Sequence, residues 1–214
     1  MRNRLAATSL PLLLAGCISY PVGTTARPVP VGEFQPNVSV YFVPNGIETL
    51  DDEGTPNESM AYSSVDFDGR WGLTERSDLG LRVPSASGVI LTYKRLLSAV
   101  NDPDRPAVSV IGGGGVVNFG NHFFVEGGLI ASGRESDFVP YVGVRGMHVF
   151  PISSGAVSDT PTVGFFGGGR LRVGTTFSLS PELGVYYDES ALGLRKRNII
   201  FIPSITFHWH RERR

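Results

Sequence analysis

A chain of 214 residues with a single cysteine, Cys17, can form no internal disulfide. Charge is scarce as well. Asp, Glu, Lys and Arg make up 18% of the sequence, against about 25% in soluble domains. The formal net charge is −1, and nothing in that balance suggests a nucleic-acid partner. After residue 17 no stretch carries the 3.6-residue apolar period of a helix. His208 and His210 share a strand face, but no further ligand cluster has metal spacing, so neither a metal nor another cofactor is expected. Gly112 to Gly115 lacks the Lys-Ser/Thr that completes a phosphate loop and reads as close packing or strand curvature. Glycine itself is plentiful, at 27 residues. A closed sheet with one lipid-facing side suits that composition, and the length suits one domain.

The clearest pattern lies between Ser64 and Val83. Val65, Phe67, Trp71 and Leu73 alternate with Ser64, Asp66, Asp68 and Arg70. After a turn at Thr74-Glu75-Arg76-Ser77, Leu79, Leu81 and Val83 alternate with Asp78, Gly80 and Arg82. A period of two over this length marks strands with chemically different faces. The same unit recurs along the chain, in segments at about 31–43, 88–96, 107–117, 122–132, 138–150, 162–173, 177–187 and 198–209. With the two strands of the hairpin that makes about ten, each near the length that crosses a membrane at a tilt. Pro44–Glu58, Pro151–Pro161 and Asp188–Arg195 read as the long outer loops.

The N-terminus has the form of a secretory signal: Arg2 and Arg4, an apolar run from Leu5 to Leu14, then small residues. The run is too short to cross a membrane as a helix. Its end, Leu14-Ala15-Gly16-Cys17, resembles the lipobox of bacterial lipoproteins. That resemblance implies cleavage before Cys17, diacylation of its thiol and acylation of the new amine. Ile18 rather than Asp after the cysteine implies the outer membrane. Removing residues 1–16 takes Arg2 and Arg4 with it, and the formal charge falls from −1 to −3. Residues 17–30, small, polar and interrupted by Pro and Gly, read as a flexible lipidated tether. Residues 31–209 are the barrel and 210–214 a basic tail.

The Trp71-Gly72-Leu73-Thr74-Glu75-Arg76 hairpin with Asp78-Leu79-Gly80-Leu81-Arg82 resembles bacterial outer-membrane β-barrel proteins of the small, porin-like group. Pro140-Tyr141-Val142-Gly143-Val144-Arg145 and Pro181-Glu182-Leu183-Gly184-Val185 resemble later strands of that group. The expected fold is all-β, an antiparallel up-and-down transmembrane barrel. A soluble barrel would hide the apolar row. Two features favour lipid instead. The polar row is rich in glycine (Gly72, Gly80, Gly128, Gly143, Gly164, Gly168, Gly184), which suits a crowded interior. Aromatic residues form two bands, Trp71, Phe138, Phe177 and Trp209 at one rim and Phe42, Phe123, Phe150 and Tyr187 at the other. Pro36, Pro140, Pro181 and Pro203 fall inside strands and conflict with an unbroken ladder.

The polar row carries Glu33, Asp66, Asp68, Asp78, Glu126 and Glu182 against Arg70, Arg82, Lys94, Arg145, Arg170 and Arg172. In a narrow lumen such charges must pair, and a salt-bridge network filling the barrel is favoured over a charged constriction for solutes. The expected function is that of an outer-membrane protein, lipid-anchored at the periplasmic face, with a structural or surface-interaction role. Its partners are outer-membrane lipid and an unknown surface ligand. A narrow channel or carrier for a small solute is the alternative. A lipid-modifying barrel enzyme, with Ser204, His208 and Glu182 as the trio, comes third.

Overall fold

The computed structural model describes residues 19–50, 56–99, 104–153, 161–187 and 199–210. Ten strands follow one another: β1 Phe34–Leu50, β2 Pro56–Thr74, β3 Ser77–Pro84, β4 Val89–Leu96, β5 Ala107–Val117, β6 His122–Ser132, β7 Phe138–Pro151, β8 Thr162–Arg172, β9 Phe177–Tyr187 and β10 Ile199–Trp209. Each pairs antiparallel with its sequence neighbour, and β10 returns to β1, so the sheet closes into a barrel with no free edge. Closure pairs the backbone groups that an open edge would leave bare. The lower end is the one where β1 begins, β10 ends and the Glu75-Arg76 turn joins β2 to β3.

Alternation decides which side chains turn inward. Along β4, Val89, Leu91, Tyr93 and Arg95 are exposed while Ile90, Thr92, Lys94 and Leu96 are buried. The outward row elsewhere is largely apolar and exposed, with Phe67, Leu129, Val142, Phe165, Leu183 and Phe201 among it. The expected Pro44–Glu58 loop is overturned in extent. β1 continues to Leu50 and β2 starts at Pro56, paired through shifts after Val43 and Glu48 that let the long hairpin bend. Residues 51–55 and most of the other two expected loops lie outside the described residues, as do the signal, Cys17 and residues 211–214.

The four strand prolines are accommodated where ladders stop. The β1–β10 ladder runs from Asn37 to Tyr41, with Pro36 one residue before it and Pro203 one residue past its partner Ser204. Pro140 lies one step beyond the Ser132–Tyr141 end of the β6–β7 ladder, and its carbonyl accepts from Gly133 N at 2.8 Å. The β8–β9 ladder skips from Gly168–Glu182 to Leu171–Leu179, and the gap holds Pro181. A missing N–H costs least at such positions.

The interior is crowded. A Cβ on Gly113, Gly115, Gly128, Gly164 or Gly168 would strike a carbonyl of the adjoining strand. Two apolar clusters lie among the inward charges. One includes Tyr20, Tyr41, Phe124 and Tyr186, the other Val22, Ala26, Ile130 and Phe166. Tyr20, Val22 and Ala26 belong to no strand. They belong to the segment expected to be a flexible tether.

Candidate functional site: the occupied lumen

Residues 19–30 are not a free tether. They run through the lumen. Beside Gly72 the segment meets the lower end, where Gly32 N donates to Gly72 O at 2.9 Å and Gly72 N donates to Glu33 O at 3.0 Å. A Cβ on Gly72 would run into the backbone of Val29 and Pro30. At the other end of the segment Ser19 accepts from Arg82 Nη1 at 3.0 Å, close to the upper end of β3. Ser19, Tyr20, Thr25 and Ala26 are at most 1% exposed.

A segment of this kind pairs with the wall at a single bridge, Val31–Gly72, so its other buried amides and carbonyls need side-chain partners. The charged row supplies them. Glu182 accepts from Val22 N and Gly23 N at 2.9 Å each. Asp78 accepts from Val29 N at 2.9 Å. Lys94 Nζ donates to the Thr24 hydroxyl and the Thr25 carbonyl at 2.9 Å, and to the Arg27 carbonyl at 3.0 Å. The Tyr20 carbonyl accepts from Arg145 at 2.8 Å and from the Tyr186 hydroxyl at 2.9 Å. Ser132 accepts from Ala26 N, and Arg170 donates to the Thr25 hydroxyl. Gly23 takes a φ of 57°, and a Cβ there would collide with Thr206.

The charges pair with one another too. Arg70 grips Asp78 Oδ1 through Nε at 3.1 Å and Nη2 at 2.5 Å, and Lys94 reaches Asp78 Oδ2 at 3.2 Å. Arg145 holds Glu126 through both Nε and Nη2. Arg82 lies 3.8 Å from Asp68, which also accepts from Asn37 at 2.9 Å. Asp66 is buried beside the Tyr41 hydroxyl. Glu33 and Arg172 line the lower mouth, and Arg170 meets Thr25 rather than a carboxylate. Glu182 serves the threaded segment and Tyr141, whose hydroxyl donates at 3.0 Å.

The trio Ser204, His208 and Glu182 is not assembled. Ser204 points its hydroxyl at the Glu182 carbonyl, while His208 bonds Ser180 through Nε2 and Asn37 through Nδ1, both at 2.7 Å. Register explains the miss, because Thr206 lies opposite Ser180, which places His208 next to Ser180 on the inward face. The resulting Ser180–His208–Asn37–Asp68 chain resembles a catalytic relay but is buried. Ser180 is 1% and His208 2% exposed, and neither lines the mouth cavity. His208 and His210 stack 6.4 Å apart, and no group of three metal-type ligands occurs among the described residues.

On the outside, Trp71, Phe138, Phe177 and Trp209 sit at the lower end. Phe123, Phe150 and Tyr187 sit at strand ends on the opposite side, and Phe42 lies farther along β1 from its start. Phe177 packs on Trp209 at 5.7 Å between ring centres.

No family model matches the chain, and no curated protein does. Solved structures do. An outer membrane channel from Pseudomonas putida F1 superposes with a TM-score of 0.53 at 13% identity, over 90% of this chain and 99% of that one. Neisserial surface protein A aligns over 83% of this chain and 97% of its own, with a TM-score of 0.41 and 12% identity. The outer membrane protein OprG from Pseudomonas aeruginosa aligns over 88% and 100%, with a TM-score of 0.35 and 11% identity. At these identities the likeness is one of fold: the chain is a closed, ten-stranded antiparallel barrel similar to those of bacterial outer membranes.

Proposed function

We propose that this protein is a sealed barrel of the bacterial outer membrane, closed by its own N-terminal segment, with a structural role or one carried out by its surface loops. The observation that carries the reading is the threaded segment 19–30, whose backbone is held by Glu182, Asp78, Lys94 and Arg145. An apolar, exposed outward row supports the membrane setting. The hydrogen-bonded chain at His208, buried as it is, is read as structural rather than catalytic. A narrow channel is the second reading, favoured by one fact: withdrawal of the segment would uncover a lumen lined by Arg70, Asp78, Lys94, Glu126 and Arg145.

Lipidation at Cys17 belongs to the proposal and is constrained by it. One residue, Ile18, separates Cys17 from Ser19, a span of about 7 Å of extended chain. With Ser19 seated beside Arg82, acyl groups on Cys17 start within that distance of it.

Planar-bilayer recordings test the seal. The full chain should show no steady conductance, and a variant lacking residues 19–30 should open steadily. Steady conductance of the full chain would promote the channel.

A further inference from the structure

At the lower mouth, beside the threaded segment, lies a cavity of about 700 Å³, within the range of small-molecule sites. Arg27, Glu135, Arg170, Arg172, Ser178 and His210 contribute to its wall. Higher in the lumen the guanidinium groups of Arg70 and Arg145 are answered by carboxylates in direct contact. In the mouth Arg27 meets Glu135 at 3.6 Å. Arg170 and Arg172 break the pattern. Among the described residues neither has a carboxylate oxygen within 4.0 Å.

Arg170 is held to the threaded segment by one hydrogen bond, from Nη2 to the Thr25 hydroxyl. A guanidinium carries five N–H donors in a planar fork, so most of its capacity remains. Arg172 lies two residues on, in the same inward row, directly opposite Ser178 in the β8–β9 register. The Ser178 hydroxyl is fixed in turn by His210 Nε2 at 2.8 Å. Two forks and a positioned hydroxyl on neighbouring strands thus border one water-accessible volume. Fork geometry of this kind matches the paired oxygens of a carboxylate or phosphate. Glu33 and Asp137 also line the cavity, so its wall is close to neutral overall. Selection there comes from short-range donor geometry rather than from a long-range field.

We propose that this mouth cavity binds a small solute bearing a carboxylate or phosphate group, its oxyanion held by Arg170 and Arg172 beside the Ser178 hydroxyl. The site faces the lower end and needs no passage through the barrel. It rests on the seated segment of the proposed function, since Thr24, Arg27, Pro28, Val29 and Pro30 form part of its wall.

Calorimetric titration of the refolded full chain in detergent with inorganic phosphate and with succinate tests it. Saturable one-to-one binding of either probe is expected, weakened at least tenfold in Arg170→Gln and in Arg172→Gln. Arg76→Gln, an exposed arginine at the same end, should leave it unchanged. Arg172 is itself exposed, so its variant reads the site even if Arg170→Gln folds poorly. No saturable binding of either probe, or equal affinity in both variants, would overturn the assignment. Repeating the titration in nanodiscs of phosphatidylcholine with and without phosphatidylglycerol separates a solute from a lipid headgroup. Unchanged affinity is expected, and occupation of the site by the anionic lipid would overturn the solute class.

Discussion

Lys94 and Asp78 lie 3.2 Å apart on neighbouring strands, both fully buried, and both hold the same stretch of chain. Lys94 does so through the Thr25 and Arg27 carbonyls, Asp78 through the Val29 amide. Wall and threaded segment therefore share one charge network. Lys94→Met would leave those carbonyls unmet and Asp78 with Arg70 as its one cationic partner beside the Val29 amide. Breaking one partner of a buried pair costs about 3–5 kcal/mol. The urea midpoint in detergent should fall accordingly, and an unchanged midpoint would place the segment outside the lumen.

Arg145 and Glu126 form the second buried pair, and Arg145 also donates to Tyr20. Arg145→Ala and Glu126→Ala should each destabilise by about 3 kcal/mol, and the double variant by much less than their sum. Arg170→Ala, which loses only a hydroxyl partner, should cost about 1 kcal/mol. Equal losses at Arg145 and Arg170 would contradict the pairing scheme.

Two glycines separate inward crowding from outward freedom. A Cβ on Gly72 meets the backbone of Val29 and Pro30, whereas one on Gly127 finds nothing nearer than Ile111 O at 4.0 Å. Gly72→Ala should destabilise by about 1–3 kcal/mol through overpacking, and Gly127→Ala should be neutral or slightly stabilising. The midpoints of the two variants decide it.

Mass spectrometry of the mature N-terminus should find acyl chains on Cys17, as the Leu14-Ala15-Gly16-Cys17 run predicts. An unmodified chain beginning elsewhere would remove the anchor from the account and leave the barrel intact.

Much of the wall was legible because a period of two is written in each strand separately. β5 and β6 fall at 107–117 and 122–132, where alternation alone places them. Those inward rows hold Glu126 and the carbonyl-contacting glycines Gly113, Gly115 and Gly128, for the same reason. Pairing was not legible, since it depends on register between strands. Thus Ser180 rather than Ser204 meets His208, and Arg170 finds Thr25 rather than an acid. The threaded segment was missed because Ser19–Pro30 has no period and its Pro, Gly and Thr content suits a linker. A signal was nevertheless present. One charge, Arg27, among twelve residues that include Tyr20, Val22, Ala26 and Val29 is little for a solvated tether. The long β1–β2 hairpin was missed for a simpler reason, because Pro44 and the acidic run after it look like loop while bulges let the pairing continue.

The central claim, that residues 19–30 occupy the lumen, is tested most directly by thiol protection at Ala26, which is fully buried. In a Cys17→Ser background, Ala26→Cys in the folded protein should stay unreactive toward a small maleimide and react at once in urea. Labelling of the folded protein at the rate of a free thiol would show the segment to be an exposed tether and contradict the sealed barrel.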